Sequence, residues 1–78
     1  MNNSVEVINI IESCLDINVS EDTVIEDCGI SSFDFIRIIV MIEEEFSISF
    51  SNEKMFMENY KTVGDIITAL NEIIAGKE

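Results

Sequence analysis

Apolar residues recur every three or four positions in three separate stretches of this chain, and that spacing more than anything else limits what it can become. In the first, Val5, Ile8, Ile11 and Leu15 are separated by Glu6, Asn9, Glu12 and Ser13, which predicts an amphipathic helix from about Ser4 to Leu15, capped by Ser4 or Asn3. In the second, Ser31 followed three residues later by Asp34 makes a capping-box-like start in which Asp replaces the usual Glu or Gln. The helix it opens runs to about Glu45 and carries two stripes: Phe35, Ile38, Ile39, Ile42 and Phe46 on one face, Phe33, Ile36 and Val40 on another. One stripe is enough for a core; the second needs another explanation. In the third, Thr62 and Asp65 repeat the capping pattern, Val63, Ile66, Ile67, Leu70, Ile73 and Ile74 supply the apolar face, and Gly76 marks the end.

The connections are less regular. From Asp16 to Ile30 the period fades, and Asp, Asn, Ser and Thr accumulate until Gly29 closes the segment. A long loop is expected there, with Ile17, Val19 and Val24 tucked beneath it; a loop of that length in a small domain is often functional. Ser47 to Ser51 alternates polar and apolar residues, but a lone strand has no partner, so it reads as an extended connection pinning Ile48 and Phe50 to the core. A short helix is expected from Asn52 to Met57. The fold class is therefore all-α: a small four-helix bundle, three main helices plus one short helix, with a long first loop, in a single domain over residues 1–78. A chain this short buries only about 60% of its unfolded surface, so its core must be dense. With 47% hydrophobic residues, prominent isoleucine and no proline, it is able to be. Ile8, Ile11, Leu15, Phe35, Ile39, Ile42, Phe46, Ile66, Leu70 and Ile73 are the expected core.

Sixteen acidic residues against four basic ones leave a formal net charge of -12. Nucleic acids and anionic membranes are bound by Lys and Arg neutralising phosphates, so this surface repels both and favours salt-dependent encounter with a protein that bears a basic patch. The start, Met1 to Glu6, lacks the basic region and apolar run of an export signal, and the longest apolar run, Ile38 to Ile42, is too short for a bilayer. A cytoplasmic monomer with no membrane insertion is the expectation. Cys14 and Cys28 then read as reduced small hydrophobes, with no neighbouring cation to activate either thiol. Histidine is absent, which removes the commonest general base and metal ligand. Asp16, Asn18 and Ser20 look like the start of a calcium-binding loop, but Glu21 stands where a glycine is required and Asp27 where a bidentate glutamate belongs. Paired-carboxylate hydrolysis needs a cleft that drives two pKa values apart, and a bundle this small has little room for one. Neither an enzyme nor a metal site is expected.

The segment Asp27-Cys28-Gly29-Ile30-Ser31-Ser32-Phe33-Asp34 fits a different chemistry. If Ser31 caps the helix, Ser32 is its first residue, beside unpaired backbone amides at the positive end of the helix dipole. A phosphate diester on that hydroxyl is well placed, and Gly29 lets the chain turn without a side chain in the way. On pattern alone the two serines are more simply capping residues.

The wider pattern changes that balance. Asp27-x-Gly29-x-x-Ser32-Phe33-Asp34, then Ile36 and Ile38, then Glu43-Glu44-Glu45-Phe46 and Ile48, and finally Thr62-Val63-Gly64-Asp65 resemble the acyl carrier protein family, in order and spacing, from about Val5 to Ile74. That family's signature is Asp-Ser-Leu, whose serine carries 4'-phosphopantetheine. The resemblance puts Ser32 in that place and Phe33 in the place of the leucine, while Asp34 matches a frequent acid. It implies a freestanding carrier holding acyl or aminoacyl intermediates as thioesters, loaded by a phosphopantetheinyl transferase and served by acyl- or aminoacyl-loading and processing enzymes with basic docking patches, as in fatty acid or polyketide biosynthesis. Two residues depart from the pattern: Ser31 stands where aspartate is usual, and Arg37 where an acid is common. Both weaken the negative face of the family's recognition helix and imply a dedicated set of partners.

The second stripe then reads as a docking surface of Phe33, Asp34, Ile36, Arg37 and Val40, with Glu43 and Glu44 at its rim; the alternative is that the stripe completes the core, and for Ile36 the two readings weigh equally. The alternative from another class is an acidic helical adaptor that is never pantetheinylated and binds a basic protein through the same helix.

Overall fold

The structure is a computed structural model and describes residues 3–77. Met1, Asn2 and Glu78, which the expected domain span includes, lie outside the described residues. Three helices, α1 (Ser4–Leu15), α2 (Ser32–Phe46) and α3 (Val63–Lys77), form the frame, joined by 3-10 turns at Ile25–Cys28, Asn52–Met55 and Met57–Asn59. The all-α class and the three main helices stand as the periodicity predicts. The short fourth helix expected over 52–57 is instead two 3-10 turns. Phe56 between them is extended (φ −88°, ψ 124°), and that interrupts any continuous helical run.

Local chemistry sets the helix ends. Ser31 is extended, and its hydroxyl oxygen accepts a hydrogen bond from the Asp34 amide at 3.1 Å, so α2 begins where the capping pattern placed it. The start of α3 is a complete capping box: Thr62 Oγ1 accepts from the Asp65 amide, and the Asp65 carboxylate accepts from the amides of Lys61 (2.8 Å) and Thr62 (3.1 Å). At α1, Asn3 occupies the cap position, but its side chain donates to Asn71 on α3 at 2.9 Å and makes no capping bond, so it ties two helices together. Both α1 and α2 end on residues in the left-handed region, Asp16 (φ 56°) and Ser47 (φ 55°), with no glycine at either place.

The core gathers Val7 and Ile11 from α1, Phe35, Ile38, Ile39 and Ile42 from α2, and Val63, Ile66, Ile67, Ala69 and Leu70 from α3, with Ile25, Ile48 and Phe50 from the connections. The predicted inner face of α1 needs correcting. Val7 is fully buried, Val5 is 67% exposed, and Ile8 and Leu15 are only half-buried. Apolar residues stand at 5, 7, 8, 10 and 11, so two faces of α1 compete; packing against both α2 and α3 selects the one through Val7 and Ile11. Phe46 and Ile73 likewise lie against the core and not within it. Ile48 and Phe50 are buried as expected, held by the Ile48 amide on the Glu43 carbonyl (3.1 Å) and the Phe50 amide on the Glu43 carboxylate (2.6 Å). Tyr60 stacks obliquely on Phe35, with ring centroids 5.3 Å apart, and donates its hydroxyl to the Lys54 carbonyl at 2.8 Å, fixing the second connection to α2.

The long loop is anchored. Ile25 donates to the Lys61 carbonyl (2.9 Å), Val63 to Thr23 (3.0 Å) and Gly64 to Glu21 (2.8 Å), around an antiparallel bridge between Val24 and Thr62. Gly64 permits this approach, since a Cβ there would lie 3.1 Å from the Glu21 carbonyl oxygen. The loop's core anchor is Ile25, which is not among the residues expected beneath the loop, whereas Ile17, which is, lies exposed. Ile25 opens a 3-10 turn that points it inward; nothing comparable constrains Ile17.

Two measurements check this architecture. Ile39→Ala should destabilise by about 2–5 kcal/mol in urea unfolding, while the same change at Ile36, one turn away and 42% exposed, should cost about 0.5 kcal/mol or less. The amides of Lys61 and Thr62 hold the Asp65 carboxyl below the usual carboxylate range. Its folded pKa therefore lies beneath its unfolded one. The stability it adds is complete at neutral pH and is lost as the pH falls through the lowered folded value. Asp65→Asn should flatten that acid limb in a pH series of unfolding curves.

Candidate functional site

The turn before α2 is built to present a side chain. The 3-10 turn Ile25–Cys28 ends on Gly29 at φ 68°, a conformation that any Cβ would strain, with no other atoms within 4 Å of where one would sit. Ile30 is half-buried and holds the chain down, Ser31 caps, and Ser32 emerges as the first residue of α2 with its side chain exposed. A helix start leaves the Ser32 and Phe33 amides without intrahelical acceptors, and the positive end of the dipole lies at the same place. An exposed hydroxyl in that setting suits a covalently attached phosphodiester. Neither an imidazole nor a reactive thiol accompanies it. The chain has no histidine, and burial, followed by the nearby Asp27 carboxylate, raises the pKa of the Cys28 thiol, which keeps it protonated. Ser32 is thus an exposed hydroxyl with neither an imidazole nor an activated thiol in its turn.

Along α2, Phe33 (71% exposed), Ile36 and Val40 (39%) form an outward strip, and Arg37 and Glu44 are exposed beside it. Met41, which belongs to neither apolar stripe of α2, joins this exposed set; its sulfur lies 3.1 Å from the Cys14 sulfur of α1. Its distance of eight residues from Phe33 was a usable signal. Asp34 is partly covered and faces Arg37 across 3.8 Å. Glu43 is separated from the others: it is half-buried and its carboxylate is occupied by the Phe50 amide. The turn leading into Gly29 also walls a cleft of about 320 Å³, through Ile25 and Glu26 on one side and Met57, Glu58 and Tyr60 on the other. Those walls come from distant parts of the chain, and no sequence pattern announces them. Among the described residues no group of acidic, cysteine or histidine side chains is arranged to hold a metal ion, and no helix is long and apolar enough to cross a membrane.

Residues 5–70 match the family model described as the phosphopantetheine attachment site. An acyl carrier protein of Clostridium perfringens strain 13 is 36% identical over 52 residues, covering 67% of this chain and 66% of that relative. An acyl carrier protein homolog of Mycoplasma genitalium is 33% identical over 64 residues, covering 78% of this chain and 74% of the relative. The crystal structure of an acyl carrier protein from Thermotoga maritima superimposes with a TM-score of 0.78 over 95% of this chain and 88% of that one; at 18% identity this likeness speaks for the fold alone. With the family model spanning most of its length and carrier proteins among its relatives in sequence, the chain belongs to the acyl carrier protein family, non-catalytic carriers built around a phosphopantetheine attachment site.

Proposed function

We propose that this chain is a freestanding cytoplasmic carrier, one domain and monomeric, whose Ser32 receives 4'-phosphopantetheine from coenzyme A by the action of a phosphopantetheinyl transferase. The observation that carries the reading is the placement of Ser32: exposed, first in a capped helix, and three residues after an open left-handed glycine. The Ser32 oxygen forms the new phosphodiester bond, and the adenosine bisphosphate half of coenzyme A leaves. The group would supply a flexible arm ending in a thiol, on which an acyl or aminoacyl cargo rides as a thioester. The chain's own residues do the rest. Ser31 fixes where α2 begins, the amides of Ser32 and Phe33 would be available to the phosphodiester, and Phe33, Asp34, Ile36, Arg37, Val40 and Glu44 would form or border the face that loading and processing enzymes meet, with Glu43 turned inward to the Phe50 amide. Fatty acid or polyketide synthesis and aminoacyl loading are the pathway classes that fit such a carrier.

Two experiments test this. Incubation with coenzyme A and a promiscuous phosphopantetheinyl transferase should add the mass of one phosphopantetheine to the intact protein. Ser32→Ala should abolish the gain while leaving the helical circular dichroism unchanged. A gain that persists in Ser32→Ala and disappears in Ser31→Ala would move the site by one residue, and no gain at all would leave the acidic adaptor. Binding to a loading enzyme should also weaken as salt rises, because the net charge of -12 is screened over about 8 Å at physiological ionic strength. Salt-insensitive affinity would assign recognition to the apolar strip alone.

A further inference from the structure

The charge on α2 is not distributed as the chain's overall balance implies. Its first turns carry one acid and one cation, Asp34 and Arg37, which cancel. Of the three glutamates in its last turns, Glu43 is occupied by the Phe50 amide, which leaves Glu44 and Glu45 exposed. The half of the helix nearest Ser32 is therefore neutral and apolar, and the negative charge begins only about 10 Å further along, at 1.5 Å per residue. Arg37 is the one cation of α2 and stands among Phe33, Ile36 and Val40, with its side chain 56% exposed. Its contact with Asp34 is long at 3.8 Å and open to solvent, so it holds the guanidinium only weakly. A partner docking on this strip desolvates Arg37. A Lys or Arg opposite it is then repelled, and a carboxylate is gripped by the planar fork of donors.

We propose that Arg37 is a specificity-determining residue of this carrier. Its cognate partner is a protein whose docking face offers an apolar depression to Phe33 and Val40, a carboxylate opposite Arg37, and basic groups displaced towards Glu44 and Glu45. Carrier-binding enzymes whose docking face is uniformly basic are excluded by the same residue, which acts as a repulsive element. The inference rests on the carrier reading for the class of partner, but its test does not require a pantetheine arm.

The test is binding of the fluorescently labelled apo-protein to a carrier-processing enzyme whose docking face is rich in Lys and Arg, followed by anisotropy. Arg37→Gln should tighten binding about threefold and Arg37→Glu about tenfold, and the gain should shrink as salt is raised. Replacing a docking-site Arg of that enzyme by Glu should reverse the order, with the wild-type carrier now binding more tightly than Arg37→Glu. Circular dichroism of each variant confirms that the helices persist, and transferase labelling at Ser32 is read separately by mass. Equal or weaker binding of Arg37→Glu to the basic enzyme would overturn the proposal, as would an unchanged order on the charge-reversed enzyme. Loss of labelling with the binding order intact would instead overturn the carrier reading.

Discussion

Three backbone hydrogen bonds hold residues 21–25 against residues 61–64, and the position of Ser32 follows from them. Without that stitch the segment between α1 and α2 would be a loop of some fifteen residues with little regular structure, a costly thing to order in a chain this small. With it, Ile25 is driven into the core, the turn that follows ends on Gly29, and the chain reaches Ser31 in the extended conformation an N-cap needs. Each bond contributes only about 1 kcal/mol net. Their effect is geometric more than energetic, because they fix a seam between the loop and the start of α3. Gly64 belongs to that seam, since only a residue without a Cβ accepts the Glu21 carbonyl so closely without adjustment.

On this frame α2 does two jobs with two faces. Phe35, Ile38, Ile39 and Ile42 are sealed into the core, which gives the helix a rigid seat, and Tyr60 closes over Phe35 from the second connection. The opposite side leaves Phe33, Ile36, Val40 and Met41 in solvent, an arrangement a monomeric surface has no structural use for. Rigidity and exposure belong together here. In the proposed carrier, a hydroxyl presented to other proteins would gain from a helix seated this firmly in the core, with apolar residues immediately beside it. In the proposed carrier the net charge would set the long-range approach of partners, while the pairing of Asp34 with Arg37 offsets charge locally beside Ser32.

Much of this was legible in the residues before any coordinates. The three helices, the caps at Ser31 and Thr62, the exposure of Ser32 and the outward strip on α2 all follow from spacing, because a 3.6-residue period and a Ser-x-x-Asp start are local properties that tertiary contacts rarely overrule. The inner face of α1 was not legible. Five apolar residues between positions 5 and 11 leave two faces of similar hydrophobicity, and the choice of Val7 over Val5 was made by what α2 and α3 present to it. The 3-10 turns at 52–59 were not legible either, because over a few residues 3-10 and α geometries share the same pattern.

The sequence by itself determined where each helix starts and which residue opens the second one, which depend on residues within a turn of one another, and the sign of the surface, which depends on composition alone. Only the tertiary structure decided how the first loop is held, that Ile25 anchors it, and that Glu43 turns inward to the Phe50 amide while Glu44 stays outside. Those outcomes depend on atoms far apart in the chain, and their energies become comparable only once the helices have packed.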